Sequence, residues 1–155
     1  MIIHPTVGNT LDFIRIAHEG QLDKAGVPYW KHCVRVMMLM PSEANEATLN
    51  AALIHDVFED TRFKNEDDIE AVGYRFHGAT LAYARALTRS ENELYRDYID
   101  RLEGYWPLRI KEADLIDHLS PSRMQYISEN QMTKYIKALE RVRNKLDNLK
   151  REGVE

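Results

Sequence analysis

The apolar residues of this chain recur with the spacing of an α-helix along most of its length. The clearest case is the segment 129–151, in which one stripe is formed by Ile136, Leu139, Val142, Leu146 and Leu149. Residues three and four apart share a face of a helix, whereas a half-buried strand alternates apolar and polar residues. Strand-type alternation is absent from the sequence, which therefore predicts an all-α fold.

Glycine and proline separate the predicted helices. A first helix is predicted over 10–19, with Asn9 or Thr10 as its N-cap, and a loop over 20–29 follows it. The other predicted helices cover 30–40, 45–60, a segment that begins near Glu66, 76–88, 92–102, 108–119 and 129–151. Without an internal repeat or a Pro/Gly/Ser-rich linker, residues 1–155 are expected to form one domain, a single helical bundle.

Composition places the chain among soluble globular proteins, since 44% of its residues are apolar and 30% are charged. No run approaches the roughly 18 apolar residues that a membrane span requires. The N-terminus, MIIHPTVGNT, lacks the apolar core of a signal peptide. The expected location is therefore the cytoplasm, with no membrane partner.

Charge and cysteine content restrict the kinds of site that the chain can build. Cys33 is the single cysteine, so a metal site has to use His, Asp and Glu side chains. The net charge of −4 does not favour nucleic acid, which is bound by clustered lysines and arginines. A small phosphorylated ligand needs only a few local cations and remains compatible with this composition.

The segment AALIHDVFEDT, residues 51–61, places four ionisable side chains at the end of an apolar run. On a helix Asp56 shares a face with Glu59 and Asp60, and His55 lies near Glu59. Such groups are costly to bury and shift one another's pKa values unless a cation or a shared proton relieves them. A divalent metal is the simplest relief.

Two further segments supply candidate ligands, because a metal shell takes roughly four or more donors. His32 lies in the apolar segment WKHCVRV, and Asp114 lies in IKEADLIDHL. A helical bundle can bring both of them to His55 and Asp56. Asp117, three residues after Asp114, is the alternative ligand on that helix.

The order of these segments resembles the HD-domain metal phosphohydrolases, and within them the alarmone hydrolases of the RelA/SpoT type. The segments that carry the resemblance are AHEGQLDKAGVPYWKH (17–32), AALIHDVFEDT (51–61), ALTR (86–89) and IKEADLIDHL (110–119). They follow one another in the family's order and span most of the chain. The resemblance covers the hydrolase segments alone, so the expected form is the small stand-alone hydrolase, without a synthetase half or a regulatory region.

The resemblance implies a reaction and a role for each candidate residue. One Mn²⁺ ion would be held by His32, His55, Asp56 and Asp114, with Zn²⁺, Fe²⁺ or another divalent ion as alternatives. Glu59 and Asp60 would be the catalytic carboxylates. The implied reaction removes the 3′-pyrophosphate of ppGpp, giving GDP and pyrophosphate. The residues assigned to the substrate are Lys24, Lys31 and Arg123, for its phosphates, and His118.

Two positions that face the substrate in the family differ in this chain. Asp23-Lys24 replaces an Arg-Lys pair, and His118 stands where the family generally has Asn. Two alternatives therefore remain beside ppGpp hydrolysis. One is hydrolysis of another nucleotide, such as a purine nucleotide or NADPH, and the other is a non-catalytic nucleotide-sensing module.

The predicted last helix has a basic face opposite its apolar stripe. We interpret it as an amphipathic helix that packs on the bundle and exposes its charges to solvent. The alternatives are a contact between two copies of the chain, giving a homo-oligomer, and a weak surface for an anionic partner.

Overall fold

The computed structural model describes residues 1–153 and confirms the predicted all-α bundle. The helices of that range are α1 (Val7–Ala17), α2 (Trp30–Met38), α3 (Glu46–Ile54), α4 (Val57–Asp60), α5 (Glu66–Glu70), α6 (Gly78–Ala86), α7 (Tyr95–Arg101), α8 (Tyr105–His118), α9 (Pro121–Met124) and α10 (Glu129–Arg151). Extended pairing within it is limited to two isolated bridges, Ile3 with Tyr74 and Leu22 with Pro28. Residues 154–155 of the predicted domain lie outside the described residues, and the domain bounds remain a prediction.

Side-chain caps set the ends of the first and last helices. Ser128 caps α10, where its hydroxyl accepts from the backbone N–H of Gln131, so this helix occupies the predicted range. Thr6 caps α1 in the same way, and Asn9 is its partner in a capping box. The predicted cap at Asn9 or Thr10 was wrong, because Thr6 starts the helix one turn earlier.

The predicted helix over 45–60 is interrupted at His55 and Asp56, which separate α3 from α4. The His55 Nδ1–H donates to the carbonyl of Ala52 at 2.7 Å. That carbonyl is the acceptor that the Asp56 N–H would use in a continuous helix. Adjacent residues of a regular helix point about 100° apart, so the interruption allows His55 and Asp56 to face the same point.

The bundle has two apolar clusters, with α2 and α3 contributing to both. One joins them to α7, α8 and α10, and the other joins them to α1, α4 and α6. Helix α10 packs along α8, which itself packs on α2. The polar residues of α2, α8 and the α3–α4 turn therefore meet inside the bundle. Within residues 1–153, no helix combines the length and apolar character needed to cross a membrane.

Candidate metal centre

The side chains of His32, His55, Asp56 and Asp114 converge in the middle of the bundle. One donor atom from each lies within 4.8 Å of the others. His32 Nε2 is 3.0 Å from Asp114 Oδ1 and 3.6 Å from Asp56 Oδ2. His55 Nε2 is 3.0 Å from Asp56 Oδ2 and 3.4 Å from Asp114 Oδ1. The four predicted ligands thus surround one small volume.

Asp56 is the most exposed of the four clustered side chains. The side chain of Asp56 is 14% exposed, whereas those of His32, His55 and Asp114 are at most 5% exposed. The Tyr29 hydroxyl donates to Asp56 Oδ2 at 2.7 Å and so limits the positions that the carboxylate can take. An incoming ligand would therefore reach the cluster next to Asp56.

His55 provides the clearest test of whether these residues suit a metal. Its Nδ1 donates to a backbone carbonyl, so Nε2 is the nitrogen left with a lone pair in the neutral ring. Nε2 is buried, has no hydrogen-bond partner among the described residues and faces carboxylate oxygens. A divalent cation would satisfy the lone pair and the carboxylates together, and two imidazoles with two carboxylates suit first-row transition metals.

The pKa values show how strongly the carboxylates of the cluster favour a positive charge. Burial alone would lower the pKa of His55, but Asp56 and Asp114 raise it well above its usual range. The pKa of His32 is also raised, because hydrogen bonds to Asp114 and Asp117 outweigh its burial. In the absence of metal, protons on these imidazoles would balance the charge of the carboxylates.

Asp114 is held by partners on both of its oxygens. Lys111, one turn earlier on α8 and only 8% exposed, donates to Asp114 Oδ2 at 2.7 Å. His118 Nε2 lies 3.2 Å from Oδ1, the oxygen that also faces His32 and His55. Although burial raises the pKa of Asp114, the charge of Lys111 and the contact with His118 hold it well below its usual range. Asp114 is therefore an ionised carboxylate aimed at the centre of the cluster.

Asp117, the alternative ligand, lies on the other side of the His32 ring. Its Oδ2 is 2.6 Å from His32 Nδ1, whereas the cluster faces Nε2. The structure therefore groups Asp114, and not Asp117, with the other three candidate ligands.

The two predicted catalytic carboxylates lie on α4, immediately after the interruption. Glu59 is exposed, and its Oε1 accepts the backbone N–H of Arg89 at 2.7 Å. Asp60 is exposed as well, but desolvation of its carboxyl group beside the bundle and the negative charges of Asp56 and Glu59 raise its pKa to about 7. A carboxyl group with that pKa can accept a proton near neutral pH and release it again.

A cavity of about 180 Å³ adjoins the cluster, between the loop over 20–29 and the first part of α10. Three of the four residues assigned to the substrate line it, Lys24, His118 and Arg123. Its other lining residues are Leu22, Asp23, Ala25, Tyr29, Tyr126, Ile127 and Tyr135. Lys31, the fourth residue assigned to the substrate, is exposed on α2, with its Nζ 5.9 Å from the centroid of the Trp30 ring. The structure does not place Lys31 among the residues that line this cavity.

The structure gives a local role to each of the two unusual residues. Asp23 Oδ1 accepts the backbone N–H groups of Ala25 and Val27, at 2.8 and 3.0 Å. This carboxylate therefore shapes its own loop. The His118 ring stacks on Tyr135, with 4.9 Å between centroids and 20° between planes.

Sequence reasoning missed Tyr29 and Tyr135 as residues of the site. Tyr29 precedes His32 by three residues, which is a helical spacing, but tyrosines at such spacings are common in bundle cores. Tyr135 belongs to a helix that the sequence assigned to packing alone. Its position over His118 follows from how α10 lies on α8, and local periodicity cannot give that information.

The fold and the cluster together define a helical domain with an internal candidate site for a divalent metal. No protein-family model matches the chain, and no curated protein matches its sequence. A solved structure does match, that of a metazoan ortholog of SpoT that hydrolyzes ppGpp and plays a role in starvation responses. The match has a TM-score of 0.68 and 22% sequence identity, and it covers 99% of each chain. The chain therefore shares the fold of that protein along its whole length.

Proposed function

We propose that this chain is a metal-dependent phosphohydrolase that removes the 3′-pyrophosphate of ppGpp. The observation that carries the proposal is the cluster of His32, His55, Asp56 and Asp114, in which the buried His55 Nε2 faces carboxylate oxygens. The shared fold with a protein that hydrolyzes ppGpp supports the choice of substrate. Mn²⁺ is the proposed ion, and the cytoplasm is the proposed location.

The proposed metal and the protein side chains would have separate tasks. A divalent ion held by the cluster would polarise a phosphate oxygen and lower the pKa of a coordinated water. Asp60, whose pKa is raised to about 7 in the metal-free chain, would accept the proton of the attacking water. Glu59, fixed by the N–H of Arg89, would orient that water. A cation beside Asp56 would also offset the negative charge that raises the pKa of Asp60.

The substrate is proposed to extend from the exposed side of Asp56 into the adjoining cavity. Lys24 and Arg123 would bind phosphate oxygens there, and Tyr135 with His118 offers flat surfaces for a base. The volume of about 180 Å³ is below the roughly 300–1,000 Å³ typical of a whole small-molecule site. We therefore expect the cavity to hold one part of the nucleotide, while its reacting phosphate lies at the cluster.

A different nucleotide is the second candidate for the substrate. The observation that favours it is the role of Asp23, whose carboxylate is engaged by its own loop where the family carries an arginine. His118 likewise presents an imidazole where the family has an amide. Another purine nucleotide or NADPH would use the same metal chemistry.

A nucleotide panel tests the proposal and separates its versions. The Mn²⁺-loaded protein would be incubated with ppGpp, NADPH and other purine nucleotides, and pyrophosphate and phosphate would be measured separately. We expect ppGpp to yield GDP and pyrophosphate, and Asp56→Ala to abolish the reaction. Asp12→Ala, the same change at an exposed position of α1, serves as the matched control. Consumption of no nucleotide in the panel would contradict the enzyme proposal, and binding without turnover would favour the sensing module.

A further inference from the structure

Asp117 combines near-complete burial with an unusual number of hydrogen-bond donors. It is 4% exposed and lies one turn after Asp114 on α8. Its carboxylate faces His32 Nδ1 at 2.6 Å. Arg35 contributes two contacts, Nε to Oδ1 at 2.7 Å and Nη2 to Oδ2 at 3.1 Å. Arg123 Nη1 adds a fourth at 2.7 Å from Oδ2.

Three of these contacts fall on Oδ2 and one falls on Oδ1, whereas each carboxylate oxygen has about two lone-pair sites. Oδ2, the oxygen that faces His32, is therefore fully engaged and has no lone pair left to offer a cation. Asp114, by contrast, binds Lys111 with Oδ2 and directs Oδ1 at the Nε2 atoms of His32 and His55. The donors around Asp117 thus explain which of the two aspartates belongs to the metal cluster.

The same contacts determine which nitrogen of His32 faces the cluster. The ionised Asp117 carboxylate only accepts, so His32 Nδ1 is the donor of the contact between them. Arg123 Nη1 also lies 2.8 Å from Nδ1, but a protonated Nδ1 has no lone pair for it, so Arg123 donates to Asp117. Nδ1 carries a hydrogen that is donated to the same oxygen at 2.6 Å. Nε2 is then the nitrogen that faces the cluster, 3.0 Å from Asp114 Oδ1, and a bound metal would replace the hydrogen on it. The ring is completely buried, so other orientations have little room.

We propose that Asp117, held between Arg35 and Arg123, is the positioning residue of His32, and that it fixes the tautomer and ring orientation in which Nε2 binds the metal. Carboxylates behind metal-binding histidines commonly have this effect, and their removal costs roughly 10- to 100-fold in metal affinity. The inference rests on the proposed metal function. Arg123, a residue of the substrate cavity, would then also support the metal centre through its contact with Asp117.

Metal titrations of the full chain test this role. The protein would be stripped with a chelator and titrated with Mn²⁺ by calorimetry, for the native chain and for Asp117→Asn, Arg35→Gln and Asp100→Asn. Asp100 is the matched control, because it also pairs with two arginines, Arg141 and Arg96, on the exposed face of α7. We expect Asp117→Asn to weaken Mn²⁺ binding roughly 10- to 100-fold and Asp100→Asn to leave it unchanged.

A second readout separates positioning from a general effect on folding. In the Zn²⁺-loaded native chain, nitrogen-15 shifts should show His32 with its hydrogen on Nδ1, in a strong hydrogen bond. Asp117→Asn should weaken that bond while the shifts of His55 stay unchanged. If Asp117→Asn does not fold, Arg35→Gln decides, because it leaves Asp117 in place and should still weaken Mn²⁺ binding.

The outcomes distinguish this inference from the proposal on which it rests. If the native chain binds metal and Asp117→Asn binds it with equal affinity, the positioning role alone is overturned. Where Asp117→Asn does not fold, equal affinity in Arg35→Gln has the same meaning. Failure of the native chain to bind any divalent metal would overturn the metal function itself.

Discussion

Raising the pH from about 6 to about 7 should tighten the binding of Mn²⁺ at the candidate centre by more than tenfold and at most roughly 100-fold. The reason is that the centre attracts protons as well as metal. The pKa values of His32 and His55 are both raised, chiefly because nearby carboxylates outweigh the effect of burial. Both rings therefore carry a proton in the metal-free chain at a pH at which an ordinary imidazole has begun to lose it.

The magnitude follows from the number of protons that the metal must displace. Each displaced proton changes the apparent affinity about tenfold per pH unit, or roughly 1.4 kcal/mol. Displacing one proton from each of the two imidazoles, whose Nε2 atoms face the same carboxylates, changes the apparent affinity at most about 100-fold per pH unit, or roughly 2.7 kcal/mol. Because the pKa values of both imidazoles are raised, the increase of Mn²⁺ affinity with pH should continue through neutral pH. It should end only above these pKa values. The His32→Gln variant should reduce it to about tenfold.

Calorimetric titrations with Mn²⁺ in two buffers of different ionisation enthalpy would measure both the affinity and the protons released. The expected result is release of about two protons per ion near neutral pH. An affinity that does not change with pH, or binding without proton release, would refute the assignment of His32 and His55 as protonated residues that the metal displaces.

Three further predictions concern catalysis and stability. Glu59→Ala should keep the metal but lower turnover by roughly 10²- to 10⁴-fold, and unchanged turnover would remove Glu59 from the mechanism. Turnover should fall as the pH drops and Asp60 takes up its proton, with a midpoint below about 7 because the bound cation offsets the charge of Asp56. Asp60→Asn should lower turnover and abolish this dependence, and an identical pH profile in the variant would contradict the role of Asp60. Thr6→Ala should lower the free energy of unfolding in urea by about 1 kcal/mol through loss of the α1 cap. Thr133→Ala, at an exposed position inside α10, is its control, and equal effects of the two changes would contradict the capping interpretation.

Helix content and the composition of the candidate cluster could be predicted from the sequence, for different reasons. Helix α10 was predicted with the observed bounds because its apolar stripe is long and periodic. His32, His55, Asp56 and Asp114 were named because ionisable side chains inside apolar segments need a partner, and the family resemblance related the segments to one another. The structure then brings all four within reach of one ion.

The details that the sequence did not reveal depend on contacts between distant residues or on competition for one backbone group. At the interruption between α3 and α4 the His55 side chain donates a hydrogen bond to the Ala52 carbonyl. Helical periodicity in the sequence does not predict this bond. The difference between Asp114 and Asp117 depends on Arg35 and His32, which lie on another helix. The short helix α9 has only four residues, too few to show a period.

Anomalous diffraction from crystals soaked in Mn²⁺ would show directly whether the four clustered side chains bind one ion. We expect one peak per chain, within about 2.0–2.3 Å of His32 Nε2, His55 Nε2 and the facing oxygens of Asp56 and Asp114. The peak should be absent in Asp56→Ala. A peak at Asp117, or no peak among these four residues in the native chain, would contradict the proposed metal site.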